Sequence, residues 1–143
     1  MIWPFRRKSK KRIARIVIDE PITSSTRVSV LKALKQIEDR EFPALIVRID
    51  SPGGTVGDSQ EIYSAIKRLK DKGCKVIASF GNISASGGVY IGVASDKIVA
   101  NPGTITGSIG VIIRGNNLSE LLDKIGIKFE TVKSGVFKDI LSP

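Results

Sequence analysis

The sequence contains no histidine and a single cysteine, and these two scarcities exclude several kinds of active site. A Ser–His–Asp triad cannot form without histidine, and a zinc site has too few of its usual ligands. The lone Cys74 excludes an intrachain disulfide, and its position before an apolar segment is typical of a small core residue. We therefore expect no metal and no cofactor, and a nucleophilic residue must use lysine or a carboxylate as its base.

Aromatic residues and long apolar segments are also scarce. Aromatic side chains make up 6 % of the 143 residues and hydrophobic residues 41 %, so we expect one domain with an aliphatic core. No apolar run approaches the roughly 20 residues that cross a bilayer, and the N-terminus lacks the apolar centre of a signal peptide. The sequence therefore predicts no transmembrane segment.

Acidic residues are absent from the first 15 positions, which hold seven of the 23 basic residues. The other 16 basic residues nearly balance the 14 acidic ones, so we predict no nucleic-acid-binding face on the folded body. We interpret residues 1–12 as a basic, disordered tail. Because it contains Trp3 and Phe5, this tail also suits peripheral contact with anionic lipid, and membrane-associated and cytoplasmic locations both stay open.

Apolar spacing predicts repeated strand–turn–helix units, and hence an α/β domain with a largely parallel sheet. Strands are expected at 12–18, 44–49 and 75–80, the second covered on both faces because its apolar run is nearly continuous. Helical stripes are formed by Val30, Leu34 and Ile37 within 27–39, and by Ile62, Ile66 and Leu69 before Gly73. Further along we predict a helix in 86–96, a strand in 97–100, a glycine-rich turn in 101–110, a strand-like segment in 111–113, a helix around 118–125 and a strand in 128–133.

Two glycine turns follow predicted strands, Gly53-Gly54 after 44–49 and Gly87-Gly88 after 75–80. Ligands of open α/β sheets gather at the carboxyl ends of the strands, so both turns are candidate walls of one site. The first turn has neither the lysine nor the spacing of a phosphate-binding loop. Backbone N–H groups of such turns, with no Cβ in the way, are suited to bind an oxyanion.

Ser86 precedes the second glycine turn and allows two interpretations. At the start of a helix it suits the role of N-cap. At a tight turn beside the Gly87 N–H it also suits a nucleophile. If its base is a lysine, that lysine needs a lowered pKa. Lys133 and Lys138 lie among glycine and apolar residues, although both also fit solvated charges.

Three segments together carry a family resemblance: "VRIDSPGGTV", "SASGGVYIGVASDKIVANPGTITGSIGVI" and "KFETVKSGVFKDILSP". They resemble, in order and spacing, the signal peptide peptidase A or protease IV family of serine peptidases. The resemblance runs from about Ile13 to Pro143. It implies an α/β fold of the Clp and crotonase type, a spiral of repeated strand–turn–helix units.

The resemblance also implies roles for individual residues. Ser86 in "ASGG" is similar to the family's nucleophile, and Lys138 in "KSGVFKD" to its general base. Lys133 fits the base position less well, because the family's lysine stands a few residues beyond that glycine and before an acid. Asp139, next to the base, is a competitor for its proton. No role is assigned to it.

The same motifs imply the residues around the reaction centre. Gly54 and Gly87 are similar to the family's oxyanion donors, with Gly53 beside them in the substrate-binding wall. Ser108 in "TGSIG" lies in a motif that the family places near the lysine. These residues complete the expected site.

Substrates and assembly follow from the resemblance too. Family members act on leftover signal peptides and other unfolded or membrane-derived peptides, and they form homo-oligomeric rings. They also continue with a mostly helical segment, so we expect 13–143 to be a partial peptidase domain with its C-terminal part missing. Two alternatives stay open, a catalytically silent assembly or membrane-associated module and a crotonase-like acyl-CoA enzyme.

Overall fold

The computed structural model describes residues 12–113, 118–128 and 134. The chain divides into two compact units, Met1–Gly110 and Val111–Pro143. The first unit contains five strands and three helices among its described residues, and the second contains one described helix. The predicted basic tail, except for Arg12, lies outside the described residues, as do Lys133, Lys138 and Asp139.

Strands and helices alternate along the first unit from residue 13 to residue 99, as the sequence predicts. The elements are β1 (Ile13–Ile18), α1 (Ser24–Asp39), β2 (Ala44–Ser51), α2 (Val56–Asp71), β3 (Lys75–Ala85), α3 (Gly87–Gly92), β4 (Lys97–Val99) and β5 (Ile105–Gly107). β5 follows β4 without an intervening helix. The second unit contains α4 (Ser119–Lys124). The predicted α/β class is confirmed.

All strand pairs in the described part of the chain are parallel. The strand order is β1-β2-β3-β4, and β5 pairs with the outer end of β3. On the side away from β2, β3 pairs with two strands. Its residues 77–79 pair with β4, and its residues 83–85 pair with β5. This division matters for the site, because Ser86 follows directly after the segment that pairs with β5.

The core is aliphatic and lies between the sheet and the helices. Alternate residues of β1 and β2 are buried, and the two predicted helical stripes of α1 and α2 are buried as well. Phe80 is the one aromatic side chain among the buried residues that the structure describes, and Cys74 is also buried, as predicted. The other face of β2 is half-buried in the described structure, so the expected cover on both faces is only partial there.

Three predicted segments of the first unit differ from the structure. The strand expected at 75–80 continues to Ala85, and the predicted glycine-rich turn in 101–110 contains β5. Non-local pairing causes both differences, because 83–85 and 105–107 gain their strand conformation from each other. The helix predicted over 86–96 ends at Gly92.

The segment 111–113 predicted as strand-like has no regular structure, and its three side chains are exposed. The helix predicted around 118–125 is present as α4, whereas all of the strand predicted in 128–133 except Lys128 lies outside the described residues. The helix stop at Gly73 is confirmed, since its φ of 92° is in the left-handed region that glycine adopts without strain. Across the described ranges, no helix combines the length and apolar character needed to cross a membrane.

Ile66 tests which face of α2 forms the core, because its side chain is fully buried. Ile66→Ala should lower the free energy of unfolding by about 2–5 kcal/mol, since it removes buried methylene groups and leaves a cavity. Val28 on α1 is 57 % exposed, so Val28→Ala should change the free energy of unfolding by less than about 0.5 kcal/mol. Urea unfolding of both variants measures the difference, and equal losses would contradict this core.

Candidate active site

Two turns approach each other closely at the carboxyl ends of β2 and β3. Gly53 lies in the turn after β2 and has a φ of 98°. A Cβ built on it would lie 2.8 Å from both the Ala85 carbonyl oxygen and the Gly87 nitrogen, and 2.9 Å from the Ser86 Cβ. No side chain fits between the two turns, so the sheet itself brings the predicted glycine turn against the predicted serine.

Ser86 occupies a strained turn between β3 and α3. Its φ and ψ are 50° and −117°, a conformation that residues with a Cβ rarely adopt. The backbone is held there because the Ser86 N–H donates to the Gly107 carbonyl (2.8 Å), while the Tyr90 N–H donates to the Ser86 carbonyl (3.0 Å). Ser86 occupies the N-cap position of α3, as one interpretation predicts, but its hydroxyl makes no capping hydrogen bond with the helix.

Two backbone N–H groups lie beside this serine. Gly54 forms a parallel bridge with Ile22, in which Ile22 donates to the Gly53 carbonyl (2.9 Å) and the Thr55 N–H donates to the Ile22 carbonyl (3.0 Å). The Gly54 N–H takes no part in these bonds. Gly87 begins α3, so its N–H has no acceptor within the helix. A Cβ on Gly87 would lie 3.4 Å from the Gly54 nitrogen, which places the two donors close together.

Small buried serines surround the turns, and the sequence analysis did not single them out. The Ser51 hydroxyl accepts from the Gly53 N–H (3.2 Å), and the Ser59 hydroxyl donates to the Thr55 carbonyl (2.8 Å). Ser84 is fully buried, and its hydroxyl has no hydrogen-bond partner in the described part of the chain. The position of Ser51 in the "DSPGG" motif was a usable signal, whereas Ser59 carries none beyond its small size.

Ser108 follows Gly107, whose carbonyl accepts the Ser86 N–H. It has a φ of 50°, so it is the second serine of this region in the left-handed part of backbone space. Ser108 therefore directly follows β5, and Ser86 directly follows β3, the strand with which β5 pairs. The predicted base Lys138, the weaker candidate Lys133, and Asp139 lie outside the described residues.

Asp50 is a residue of this region that the sequence analysis missed. Its carboxylate accepts from the Ile83 N–H (3.0 Å) and faces the Asn82 side-chain amide (3.4 Å). The hydrogen bonds from the backbone amides of Ile83 and Asn82, with a smaller contribution from Arg48, lower the pKa of Asp50. No grouping of carboxylates and cysteine among the described residues is suited to hold a metal ion.

The fold is that of the Clp-like α/β proteases of known structure. A mutant of the 1510-N membrane-bound stomatin-specific protease matches with a TM-score of 0.61 and 27 % identity, over 73 % of this chain and 50 % of that one. ClpP1 from Listeria monocytogenes shares the fold, with a TM-score of 0.53 and 19 % identity over 78 % of this chain and 64 % of its own.

The chain belongs to peptidase family S49, whose model matches residues 68–143. A Synechocystis protein named "Putative protease slr0021" is 63 % identical over 142 residues, or 99 % of this chain and 51 % of its own length. An Enterococcus faecium protein named "Putative signal peptide peptidase SppA" is 45 % identical over 114 residues, or 79 % of this chain and 33 % of its own length. The chain therefore spans about half or less of the length of these relatives.

The close contacts of Gly87 lead to a stability test. A Cβ on Gly87 would lie 2.4 Å from the Ser59 hydroxyl oxygen, which is held by its bond to Thr55. Gly87→Ala should therefore lower the free energy of unfolding by about 1–3 kcal/mol through overpacking. Adding Ser59→Ala removes the clashing oxygen, so the double variant should lose less than the sum of the two single losses.

Gly57 provides the matched control, because a Cβ at this helical position would meet nothing within 4 Å. Gly57→Ala should leave stability unchanged or raise it by up to about 1 kcal/mol. Urea unfolding compares the four variants. If Gly87→Ala proves as stable as Gly57→Ala, the packing described here around Gly87 is incorrect.

Proposed function

We propose that this chain carries the nucleophile of a serine endopeptidase that cleaves peptides through an acyl-enzyme, with Ser86 as nucleophile and Lys138 as general base. The observation that carries the proposal is the Ser86 turn. Its hydroxyl is not used to cap α3, and the Gly54 and Gly87 N–H groups lie beside it. Membership of peptidase family S49 supports the same reaction class.

In the proposed reaction, neutral Lys138 accepts the proton of the Ser86 hydroxyl as the oxygen attacks a peptide carbonyl. The Gly54 and Gly87 N–H groups donate to the oxyanion of the tetrahedral intermediate. Protonated Lys138 then gives its proton to the leaving amine as the C–N bond breaks. Water, deprotonated by Lys138, hydrolyses the ester and restores Ser86.

Two further residues have supporting roles in this proposal. Gly53 allows the two turns to lie in close contact, because any side chain at this position would collide with Ala85 and Gly87. Ser108 helps to hold Lys138 in place, which fits its position directly after the residue that binds the Ser86 backbone. A lysine acts as a base only when neutral, so this pair requires surroundings that lower the lysine pKa.

The substrates proposed are signal peptides and other unfolded or membrane-derived peptides. The name of the Enterococcus relative points to signal peptides for that protein, at 45 % identity to this chain. An extended peptide backbone also suits a site in which the residues around the half-buried Ser86 are small, such as Gly53 and Gly87.

We further propose a homo-oligomer, with peripheral membrane contact through the basic tail. Exposed apolar side chains on β4 and β5 support the first point, because contiguous apolar surface often marks an interface. These side chains are Ile98, Val99 and Ile105. The seven basic residues among the first 15 support the second.

Hydrolysis of an unfolded protein and of a signal-peptide-like peptide tests the mechanism. Ser86→Ala and Lys138→Ala should each lower kcat at least about 1,000-fold, because the two groups act as one unit. The wild-type rate should rise with pH through the range in which Lys138 becomes neutral. Lys133→Ala is the matched control and should retain activity.

Light scattering on the same samples shows whether assembly is unchanged in the variants. Activity lost in Lys133→Ala but kept in Lys138→Ala would move the base to Lys133. A Ser86→Ala variant that still cleaves would exclude the acyl-enzyme proposal. A wild type that is monomeric and inactive would favour a catalytically silent module.

A further inference from the structure

We propose that Asp50 is a positioning residue: its carboxylate replaces a missing strand partner and thereby fixes where the end of β3 presents Ser86. This inference rests on the proposed function only for its kinetic readout. Its structural readout concerns the backbone of the Ser86 turn and does not require that Ser86 be the nucleophile.

The pairing of β2 with β3 is interrupted beside Asp50. Ile49 pairs with Phe80, but the next pair is Ser51 with Ser84. One residue of β2 therefore stands opposite three residues of β3, and its single backbone N–H and C=O cannot form hydrogen bonds with all three. The Asp50 side chain supplies the missing acceptor, since Oδ1 receives the Ile83 N–H at 3.0 Å.

The opposite edge of the same segment is held by the region that contains β5. The Thr104 hydroxyl donates to the Gly81 carbonyl (2.8 Å), and Ile83 pairs with Ile105. Three residues later, the Ser86 N–H donates to the Gly107 carbonyl at 2.8 Å. Residues 81–85 are thus held between Asp50 and β5, and a shift of this segment displaces the Ser86 turn.

Gly81 shows how tightly the carboxylate fits. A Cβ on Gly81 would lie 2.3 Å from Asp50 Cγ and 2.4 Å from Oδ2. Alanine at this position must therefore push the carboxylate away from Ile83. The φ of Gly81 is not positive, so the backbone accepts alanine, and the expected defect acts through contact with Asp50, whose Cβ would lie 2.6 Å from the added Cβ.

The charged group that faces Asp50 in the described structure is Arg48, two residues earlier in β2. Its guanidinium donates to the Ser79 hydroxyl (3.0 Å) and the Phe80 carbonyl (2.8 Å). Amide hydrogen bonds and this charge lower the pKa of Asp50, so its stabilising effect is present above the ordinary pKa of 3.8 and is lost as pH falls through the lowered value. At the neutral to alkaline pH of a Ser–Lys enzyme the contact is therefore constant.

Two substitutions at Asp50 test separately the position of the oxygen that accepts the Ile83 N–H and the negative charge of the carboxylate. Asp50→Asn keeps an acceptor at the same distance without the charge, so it should retain kcat within about threefold. Asp50→Glu keeps the charge but adds a methylene, which moves the carboxylate away from the position at which it accepts the Ile83 N–H. Asp50→Glu, Asp50→Ala and Gly81→Ala should each lower kcat by about 10- to 100-fold with little change in KM, because misplacement by about 1 Å has this cost.

The structural readout is amide hydrogen exchange, followed by NMR on the 143-residue chain at neutral pH. Asp50→Ala, Asp50→Glu and Gly81→Ala should speed exchange at both Ile83 and Ser86, whereas Asp50→Asn should not. The Leu45 and Val47 amides of β2 serve as internal standards for global opening. Asp71→Ala, at an exposed carboxylate at the end of α2, is the control and should change neither amide.

The double variant Asp50→Gly/Gly81→Ala gives the sharpest test, because Asp50→Gly removes both the carboxylate and the Cβ that a side chain on Gly81 would meet. If Gly81→Ala acts by displacing Asp50, it should add no further defect to that of Asp50→Gly. Additive defects would overturn the proposal, and so would rapid exchange at Ile83 with Ser86 still protected. If Asp50→Ala opens the standards as well, Gly81→Ala and Asp50→Glu carry the same comparison. Activity that survives in Ser86→Ala would remove the proposed function but not the exchange result.

Discussion

The close contact between the Gly53–Gly54 turn and the Ser86 turn is the constraint on which this region depends. Neighbouring parallel strands lie about 4.8 Å apart, so chains leaving their carboxyl ends must pass each other without side chains between them. At Gly53 a Cβ would collide with Ala85, Ser86 and Gly87 at once. At Gly54 it would lie 1.9 Å from the Ile22 carbonyl oxygen. Glycine is required here because the sheet leaves no volume for another residue.

The strained backbone of Ser86 is tolerated because its surroundings determine it. A residue with this φ costs about 1–3 kcal/mol and persists only where neighbouring interactions outweigh that cost. The Gly107 carbonyl holds its N–H on one side, and α3 holds its carbonyl on the other. α3 in turn packs on α2, where the rings of Tyr63 and Tyr90 stack at 4.8 Å. The large aliphatic core therefore supports a turn that would be unstable in isolation.

Much of the fold, but less of the site, could be predicted from the sequence. The stripes through Leu34 and Ile66 report local periodicity, and both helices were found where this periodicity placed them. The carboxyl end of β3 and the whole of β5 lack such a pattern, because they become strands by pairing with each other and, at Ser84, with Ser51 of β2. Asp50 was missed for the same reason, since it contacts a residue 33 positions away. Ser86 was identified through its motif, whereas its unusual φ and uncapped hydroxyl required coordinates.

β3 joins two segments that are stabilised in different ways. From Lys75 to Phe80 it carries Val76 and Phe80 into the core, so hydrophobic burial fixes this part. From Gly81 to Ala85 the buried side chains are small, and polar contacts from Asp50 and Thr104 hold the backbone. Hydrogen bonds are directional, whereas hydrophobic burial is not. The contacts of the second segment therefore mainly fix its position, and the burial of the first segment contributes more to stability. Ser86 thus follows the carboxyl end of β3, where directional hydrogen bonds set the geometry of the backbone. Hydrophobic burial in the first segment keeps the sheet folded.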